Sequence, residues 1–359
     1  MSPFRLFDLD YVAMRRASLH LDEMSTLNIA LSSKNARQIM KLFKKRIEFI
    51  WVNFQESDCV INLKFAENLE VYWRIKSSKG ILKHAEKTDV FELNDMKVES
   101  MRYRIKSKYV INSYCEDDLS ICQSIVEVLL DIYRPNKLNY YISRKHNLSK
   151  LLCFNGLNQV DHLTFIVYFP VSDQEFLLFR QNIHPKKELC FNLVFYKNSN
   201  HGCNIEFNYE KLEICSSEWL NRDDLFNINS KYAFLKETKL TNEDLKLYFK
   251  RWIDGDDSKL EKLKITMSDD GNLDNMLSGI ETKSFEEIIQ DKHLNNKTFE
   301  FLDFENFKFD GCKGRHLIRK DGEIATVHLA GNKKLNFIVW NEKSPLIRDT
   351  EDYVGNIMI

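Results

Sequence analysis

The first fifty residues carry apolar positions at helical spacing. Leu9, Val12 and Leu19 recur at intervals close to whole helical turns, and Asp22 provides a polar start for a second helix. A third stripe repeats at i, i+3, i+4 and i+7 and comprises Ala36, Ile39, Met40, Phe43, Ile47 and Ile50. The pattern predicts three helices over residues 1–50. The other face of the third helix is basic, which favours a solvated surface over a phosphate contact.

Between residues 51 and 145 the pattern changes to short, partly alternating runs of β-branched and aromatic residues. Runs at residues 59–63, 69–75 and 103–105 predict antiparallel strands. Residues 116–133 then return to helical spacing, and Pro135 stops the helix. We predict a strand-rich segment with one helix as the second domain.

Residues 146–359 alternate predicted strands with predicted helices. An apolar-x-x-Leu-x-apolar element occurs at residues 160–165, 190–195, 209–214 and 260–265. Such elements suit buried strands flanked by helices, as in βα units and leucine-rich solenoids. Because their spacing is irregular, two interpretations stay open: a degenerate leucine-rich-repeat-like parallel sheet, or ordinary buried strands of an α/β domain.

Two local signals towards the C-terminus are well defined. Thr241 as N-cap and Gly255 as the stop predict a helix between them. Asp321-Gly322 between apolar runs predicts a hairpin with a type I′ turn, and residues 336–340 predict one more strand. The expected fold class is α+β or α/β: a three-helix unit, a strand-rich segment, and a strand–helix domain over residues 146–359 that ends in a β-hairpin.

Composition and charge narrow the function classes. Lys and Arg total 52 against 53 Asp and Glu, so the chain lacks the basic excess of a nucleic-acid binder. No apolar run reaches the roughly 20 residues that span a bilayer, and no signal-peptide core follows Met1. The eight cysteines are scattered without a C-x-x-C pair, as expected of reduced thiols. We expect a cytoplasmic or nuclear protein that binds neither nucleic acid nor membrane.

Motifs for catalysis or cofactor binding are absent from the sequence. There is no G-x-S-x-G, and the nearest approach to a phosphate loop, at residues 311–314, precedes a predicted strand as a turn would. Neither the histidines nor the cysteines show a close pairing suited to zinc, and the acidic runs at 254–257 and 269–271 lack the calcium-loop pattern. We expect no catalytic residue, no cofactor and no metal.

The N-terminal unit resembles an F-box. The residues that carry the match are Phe4-x-Leu6-x-x-Leu9-Asp10-x-Val12-x-Met14, Leu21-Asp22-x-Met24 and Leu27-x-Ile29-x-Leu31-Ser32-Ser33-Lys34. The resemblance implies binding to a Skp-type adaptor, which docks onto the cullin of a ubiquitin ligase. The residues implied at the adaptor interface are Leu9, Val12, Leu21, Leu27, Ile29 and Leu31.

The match departs from the family pattern at several positions. Asp10 and Glu23 stand where the family usually has Pro, and smaller or polar residues occupy positions 17, 18 and 26. Two alternatives therefore stay open. The three helices can be a cap on the following domain, or the chain can be a protein-binding module that has lost its connection to the ligase.

A second resemblance lies in the C-terminal half. The residues that carry it are Leu240-Thr241-Asn242-Glu243-Asp244-Leu245-x-x-Tyr248-Phe249-x-x-Trp252-Ile253-x-Gly255, Leu260-x-x-Leu263-x-Ile265 and the run from Leu317 to Val327. They are similar to the F-box-associated domain (type 2) of an F-box family expanded in nematodes. The resemblance implies a substrate adaptor that binds an unknown target protein through its C-terminal domain, residues 146–359, and presents it for ubiquitination, while an enzyme bound elsewhere makes the bond.

Overall fold

The computed structural model describes residues 10–66, 69–77, 89–93, 95–143, 148–196, 206–255, 259–294, 297–342 and 344–349. By their internal contacts the residues divide into two units, Met1–Lys186 and Lys187–Ile359. Among the described residues, no helix is both long and apolar enough to cross a bilayer. The predicted domain boundaries at residues 50 and 145 stay predictions.

The first unit contains helices and one large mixed sheet. Its helices are α1 Tyr11–His20, α2 Glu23–Ser32, α3 Lys34–Lys41, α4 Asp118–Ile132, α5 Leu148–Leu152 and α6 Asp173–Asn182. Its strands are β1 Lys45–Phe54, β2 Asp58–Lys64, β3 Glu70–Ser77, β4 Asp89–Leu93, β5 Met96–Ile105, β6 Lys108–Cys115, β7 Tyr133–Ile142 and β8 His162–Val171. The strands lie in the order β8-β7-β1-β2-β3-β6-β5-β4. β7 runs parallel to both β1 and β8, and β2 runs antiparallel to β1 and β3.

The sheet of the first unit is buried on one face. In β1, Ile50, Val52 and Phe54 are fully buried while the residues between them are not, which is the period of two of a strand with one covered face. Helix α4 packs against β2, β3 and β7, and its apolar side chains complete this core. The predicted helix over residues 116–133 is thus confirmed, as are the predicted strands around residues 59–63, 69–75 and 103–105.

The predicted third helix is wrong in its second half. α3 ends at Lys41 and β1 begins at Lys45, although Ile47 and Ile50 continue the helical apolar pattern. Both residues are buried in β1, which hydrogen-bonds with β2 on one side and β7 on the other. Two distant strands thus satisfy this backbone, and tertiary pairing overrides the local period.

The second unit also combines helices with a mixed sheet. Its helices are α7 Arg222–Phe226, α8 Asn242–Asp254, α9 Leu273–Met276 and α10 Phe285–Asp291. Its strands are β9 Glu188–Phe195, β10 Lys211–Ile214, β11 Tyr232–Thr238, β12 Lys262–Met267, β13 Lys297–Leu302, β14 Lys308–Phe309, β15 Arg315–Ile318, β16 Ile324–Ala330, β17 Lys334–Val339 and β18 Leu346–Asp349. The large sheet has the order β15-β16-β17-β12-β11-β10-β9, and β14, β13 and β18 form a small antiparallel sheet.

The four apolar-x-x-Leu-x-apolar elements lie on β8, β9, β10 and β12, and each central Leu is buried. Strands β9 to β12 are parallel and adjacent in chain order, which confirms the predicted parallel sheet. Parallel strands in chain order also occur in repeat solenoids. Here, however, the antiparallel strands β17, β16 and β15 extend the same sheet, so the sheet is mixed. The chain is therefore a mixed α and β protein with a large strand content.

Local signals at the C-terminal end are largely confirmed. Thr241 caps α8 within a capping box, and Gly255 ends it at φ 89°. The hairpin between β15 and β16 is also present, but φ is positive at Gly322 and not at Asp321. The turn is therefore not type I′, because that turn needs a positive φ at both central residues. The strands β17 and β18 follow the hairpin, so it is not the last of the described elements, contrary to the prediction.

Candidate protein-binding surfaces

The three N-terminal helices begin at capped residues. The side chains of Asp10, Asp22 and Ser33 each accept a hydrogen bond from the backbone N–H three residues on, at 2.8, 2.6 and 3.1 Å. Such caps satisfy N–H groups that a helix leaves without partners. Asp10, which departs from the F-box pattern, therefore has a local role as the N-cap of α1.

Two lysines fix the helical unit to the rest of the first unit. Lys44 Nζ donates to the carbonyl oxygen of Leu130 at 2.5 Å, and Lys45 Nζ donates to that of Leu21. Both carbonyls lie near the C-terminal ends of helices, where cations are favourable. Burial lowers the pKa of both lysines.

The basic face of α3 also has partners within the chain. Lys41 Nζ lies 2.9 Å and Arg37 Nε 3.9 Å from Asp131 of α4. Asp131 is half-buried, so this charge pair joins α3 to α4 instead of facing water only. The prediction of a solvated basic face is therefore correct only in part, since Lys34 is exposed but Arg37 is largely buried.

The six predicted adaptor-binding residues are placed very differently. Val12 is 61% exposed, whereas Leu27 and Leu31 are 1% and 5% exposed and pack inside the chain. Leu21 and Ile29 are half-buried, and Leu9 lies outside the described residues. Of the five described positions, Val12 is the one whose side chain is open to a partner in this structure. The role of the six residues at an interface stays a prediction.

The structure adds apolar residues that the resemblance did not indicate. Tyr11, Leu19 and Leu42 are 57%, 69% and 62% exposed. We call these residues, together with Val12, the N-terminal apolar surface. Val12 and Leu19 are seven residues apart and so lie on the same side of α1, and the Tyr11 ring lies 5.6 Å from that of Phe43.

A groove of about 390 Å³ lies between α2 and the strands β5 and β6. Its cations already have partners within the chain. Arg102 donates to Asn28, while Arg104 Nε donates to the Lys106 carbonyl at 3.0 Å. Because these donors are engaged, we assign no ligand to the groove.

A row of aromatic side chains crosses three neighbouring strands. The rings of Trp51 on β1 and Tyr141 on β7 are 5.2 Å apart, and those of Tyr141 and Tyr168 on β8 are 6.3 Å apart. Trp51 is 38% and Tyr168 60% exposed. We call these three residues the aromatic row.

The aromatic row lies on the sheet face opposite to the core. On the core face, the Phe165 ring lies 5.3 Å from Phe179 of α6, and the Tyr140 ring lies 6.4 Å from Phe154. Parallel strands are usually covered on both faces, so the exposed rings of Trp51 on β1 and Tyr168 on β8 make this face a candidate binding surface. Trp and Tyr are also the residue types that dominate binding energies at protein interfaces.

Comparison with known proteins identifies part of the second unit. Residues 203–265 match the family model described as F-box associated. The match spans β10, α7, β11 and α8 and ends within β12, so it includes the residues from Leu240 to Ile265 that carried the predicted resemblance. The hairpin residues 317–327 lie outside the matched segment, so their resemblance stays a prediction.

Relatives extend the similarity over most of the chain. The uncharacterized protein F59B2.9 of Caenorhabditis elegans is 20% identical over 95% of this chain and 80% of its own length. Protein F54H12.5 of the same nematode is 23% identical over 95% of this chain and 94% of its own length. The E3 ubiquitin-protein ligase hecw-1 of Caenorhabditis elegans is 21% identical over 73% of this chain and 22% of its own length. No solved structure matches the chain.

The fold and the family match together define the class: a mixed α and β protein with an F-box-associated domain. The relatives named above are nematode proteins, and the family match at residues 203–265 confirms the F-box-associated (type 2) part of the predicted resemblance. An F-box-associated domain indicates a substrate-binding role related to ubiquitin ligases.

Proposed function

We propose that this chain is the substrate-recognition adaptor of a Skp–cullin–F-box ubiquitin ligase. The observation that carries the proposal is the F-box-associated match at residues 203–265. The similarity of the chain to part of the E3 ubiquitin-protein ligase hecw-1 agrees with a place in the ubiquitin system. The proposal places the chain in the cytoplasm or the nucleus.

The N-terminal apolar surface is proposed to contact the Skp-type adaptor and, through it, the cullin. Its exposed side chains belong to α1 and to the residue that follows α3, within the segment that resembles an F-box. Exposed apolar side chains of this size lose their contact with water when a partner covers them, which favours binding by about 25 cal/mol per Å². Val12 belongs both to this surface and to the predicted interface.

The aromatic row is proposed to bind the target protein. Its rings lie on strands, and a rigid sheet presents them without the entropy cost of ordering a loop. The chain would then act by proximity, since holding the target beside the ligase raises the local concentration of one near the other. In this proposal no residue of the chain makes or breaks a covalent bond.

The test of the adaptor contact uses the full chain and a purified Skp-type adaptor. Val12→Asp should weaken binding by about tenfold or more, because apolar anchors are worth at least 1–2 kcal/mol. Leu177→Asp is the matched control, since Leu177 is 48% exposed on the helix α6 and lies outside the N-terminal apolar surface. Binding is measured by titration calorimetry, and circular dichroism checks that each variant is folded.

The outcomes separate the adaptor from a simple cap. Loss of binding in Val12→Asp but not in Leu177→Asp supports the proposal. Equal affinity of wild type and Val12→Asp, or no binding by the wild-type chain at micromolar concentrations, overturns it.

A second candidate function is a protein-binding module that acts without the ligase. The observation that favours it is the burial of Leu27 and Leu31 within the chain, because buried side chains are not available to an adaptor. In that case the target would be retained by the wild type and lost in the Trp51→Ala/Tyr168→Ala variant, while the adaptor would not bind at all.

A further inference from the structure

Two cysteines that are distant in sequence meet on the large sheet of the second unit. Cys190 lies on β9 and Cys215 directly follows β10, and the two strands are parallel neighbours. Their Sγ atoms are 3.8 Å apart. Glu213 is the strand partner of Cys190, and its Oε1 atom lies 3.9 Å from the Cys215 sulfur. One ligand atom from each residue lies within 4.8 Å of the others.

We propose that Cys190, Cys215 and Glu213 bind a divalent cation that prefers thiolate ligands, namely zinc. Thiolates and a carboxylate are ligands that zinc accepts. Two sulfurs each about 2.3 Å from a tetrahedral ion lie about 3.8 Å apart, which is the separation found here. A sulfur and a carboxylate oxygen on the same ion would lie about 3.5 Å apart, close to the 3.9 Å between Cys215 and Glu213.

A disulfide fits the same residues less well. The strand partner of Cys190 is Glu213, so Cys215 lies two residues further along the neighbouring strand. Strand spacing and rise place the Cα atoms of the two cysteines about 8 Å apart. Cysteines whose Cα atoms are more than about 7 Å apart cannot be joined without moving the backbone.

A charged neighbour bears on ion binding. The Lys236 Nζ atom lies 2.6 Å from Glu213 Oε1, so a bound cation would replace the lysine at this oxygen.

Asn192 offers a further oxygen. It lies two residues beyond Cys190 and so on the same face of β9, and its buried Oδ1 atom has no hydrogen-bond partner among the described residues. Structural zinc is four-coordinate, so either Asn192 Oδ1 or a water molecule completes the set. This site is independent of the proposed ligase function.

The experiment titrates the reduced, metal-free full chain with Co²⁺, whose thiolate complexes absorb in the near ultraviolet and visible. The expected result is one Co²⁺ per chain with a thiolate charge-transfer band that Zn²⁺ abolishes. Cys190→Ser and Cys215→Ser should each weaken binding by at least about tenfold, because even outer-shell partners of zinc ligands are worth about 10–100-fold. Cys153→Ser and Cys312→Ser are controls, since both thiols are exposed and outside the cluster.

The outcomes decide the assignment. An unchanged charge-transfer band in the Cys190→Ser/Cys215→Ser variant, or the absence of the band in the wild type, overturns the site. If a cysteine variant does not fold, the Co²⁺ titration is repeated with Glu213→Gln, which keeps both thiols. That variant should bind more weakly and keep the band, and unchanged affinity would overturn the three-ligand site.

Discussion

The buried ion network around Lys264 gives a prediction that the structure makes quantitative. Lys264 Nζ on β12 lies 2.7 Å from Asp303 Oδ2 and also contacts Glu305. The side chains of Lys264 and Asp303 are each only 9% exposed, whereas that of Glu305 is 41% exposed. Lys264 also lies 4.9 Å from the centroid of the Phe234 ring. The substitution Lys264→Met removes the charge but keeps most of the side-chain volume.

The size of the effect follows from what remains buried. Removing one partner of a buried ion pair costs about 3–5 kcal/mol, because the other charge stays without compensation. Asp303 keeps two hydrogen bonds from the backbone N–H groups of Glu305 and Phe307, both at 2.9 Å. Since these bonds still stabilise its carboxylate, we expect about 3 kcal/mol for Lys264→Met. Asp303→Asn should cost less, because Glu305 remains beside the lysine.

The assay is urea unfolding of the full chain, followed by tryptophan fluorescence. The double variant Lys264→Met/Asp303→Asn should lose about 0.5–3 kcal/mol less stability than the two single variants lose together, as expected for contacting residues. The control is Lys239→Met. Lys239 Nζ lies 2.6 Å from Glu218, but both side chains are more than half exposed, so this pair is worth about 0–1 kcal/mol.

The pH dependence has a definite sign. Burial alone would lower the pKa of Lys264, but the hydrogen bonds to Asp303 and Glu305 outweigh it and raise the pKa. Because the pKa of Lys264 is higher in the folded than in the unfolded protein, the charged lysine stabilises the fold fully below the unfolded value of 10.5. This stabilisation is lost as the pH rises above that value. Lys264→Met should therefore flatten the loss of stability above pH 10.5. If Lys264→Met costs no more than Lys239→Met, the buried-network argument is refuted.

Two further predictions concern Leu31 and His316. Leu31→Asp should destabilise the fold by more than about 4 kcal/mol, because it removes about 2 kcal/mol of apolar burial and adds a buried carboxylate; a near wild-type urea midpoint would contradict this. Burial lowers the pKa of His316 to about 4. Above pH 6.5 the imidazole of His316 is neutral in the folded and the unfolded protein. Between pH 6.5 and 4 only the unfolded protein binds the proton, so the free energy of unfolding falls by up to about 3 kcal/mol. The urea midpoints at pH 7 and pH 4.5 should differ less in His316→Gln than in the control His184→Gln, since His184 is exposed.

Local chemistry explains where prediction from the sequence succeeded. The helix α8 is capped by Thr241 and Gly255 as predicted, because an N-cap and a residue with positive φ act on the adjacent backbone. The helix α4 was also predicted, since its apolar spacing is long and regular. The third helix failed beyond Lys41 because residues 45–54 pair with strands that lie elsewhere in the chain.

The candidate surfaces were predicted less completely. Val12 was among the predicted interface residues and is exposed, but Leu27 and Leu31 share its apolar character and are buried. Sequence period cannot tell which apolar stripe of a short helix faces the core and which faces a partner. The aromatic row was not predicted, because Trp51, Tyr141 and Tyr168 are neighbours only through the pairing of β1, β7 and β8.

Features with local signals could therefore be predicted from the sequence: the caps, the turn positions, the buried leucines of the parallel strands, and the resemblance that the F-box-associated match confirms. Which of these elements come together depends on the pairing of distant strands. Cys190 and Cys215 show no metal-ligand spacing in the chain, yet the register of β9 and β10 places their sulfurs 3.8 Å apart. The physical reason is that strand pairing joins residues of any separation in sequence, whereas period and propensity act over one or two turns.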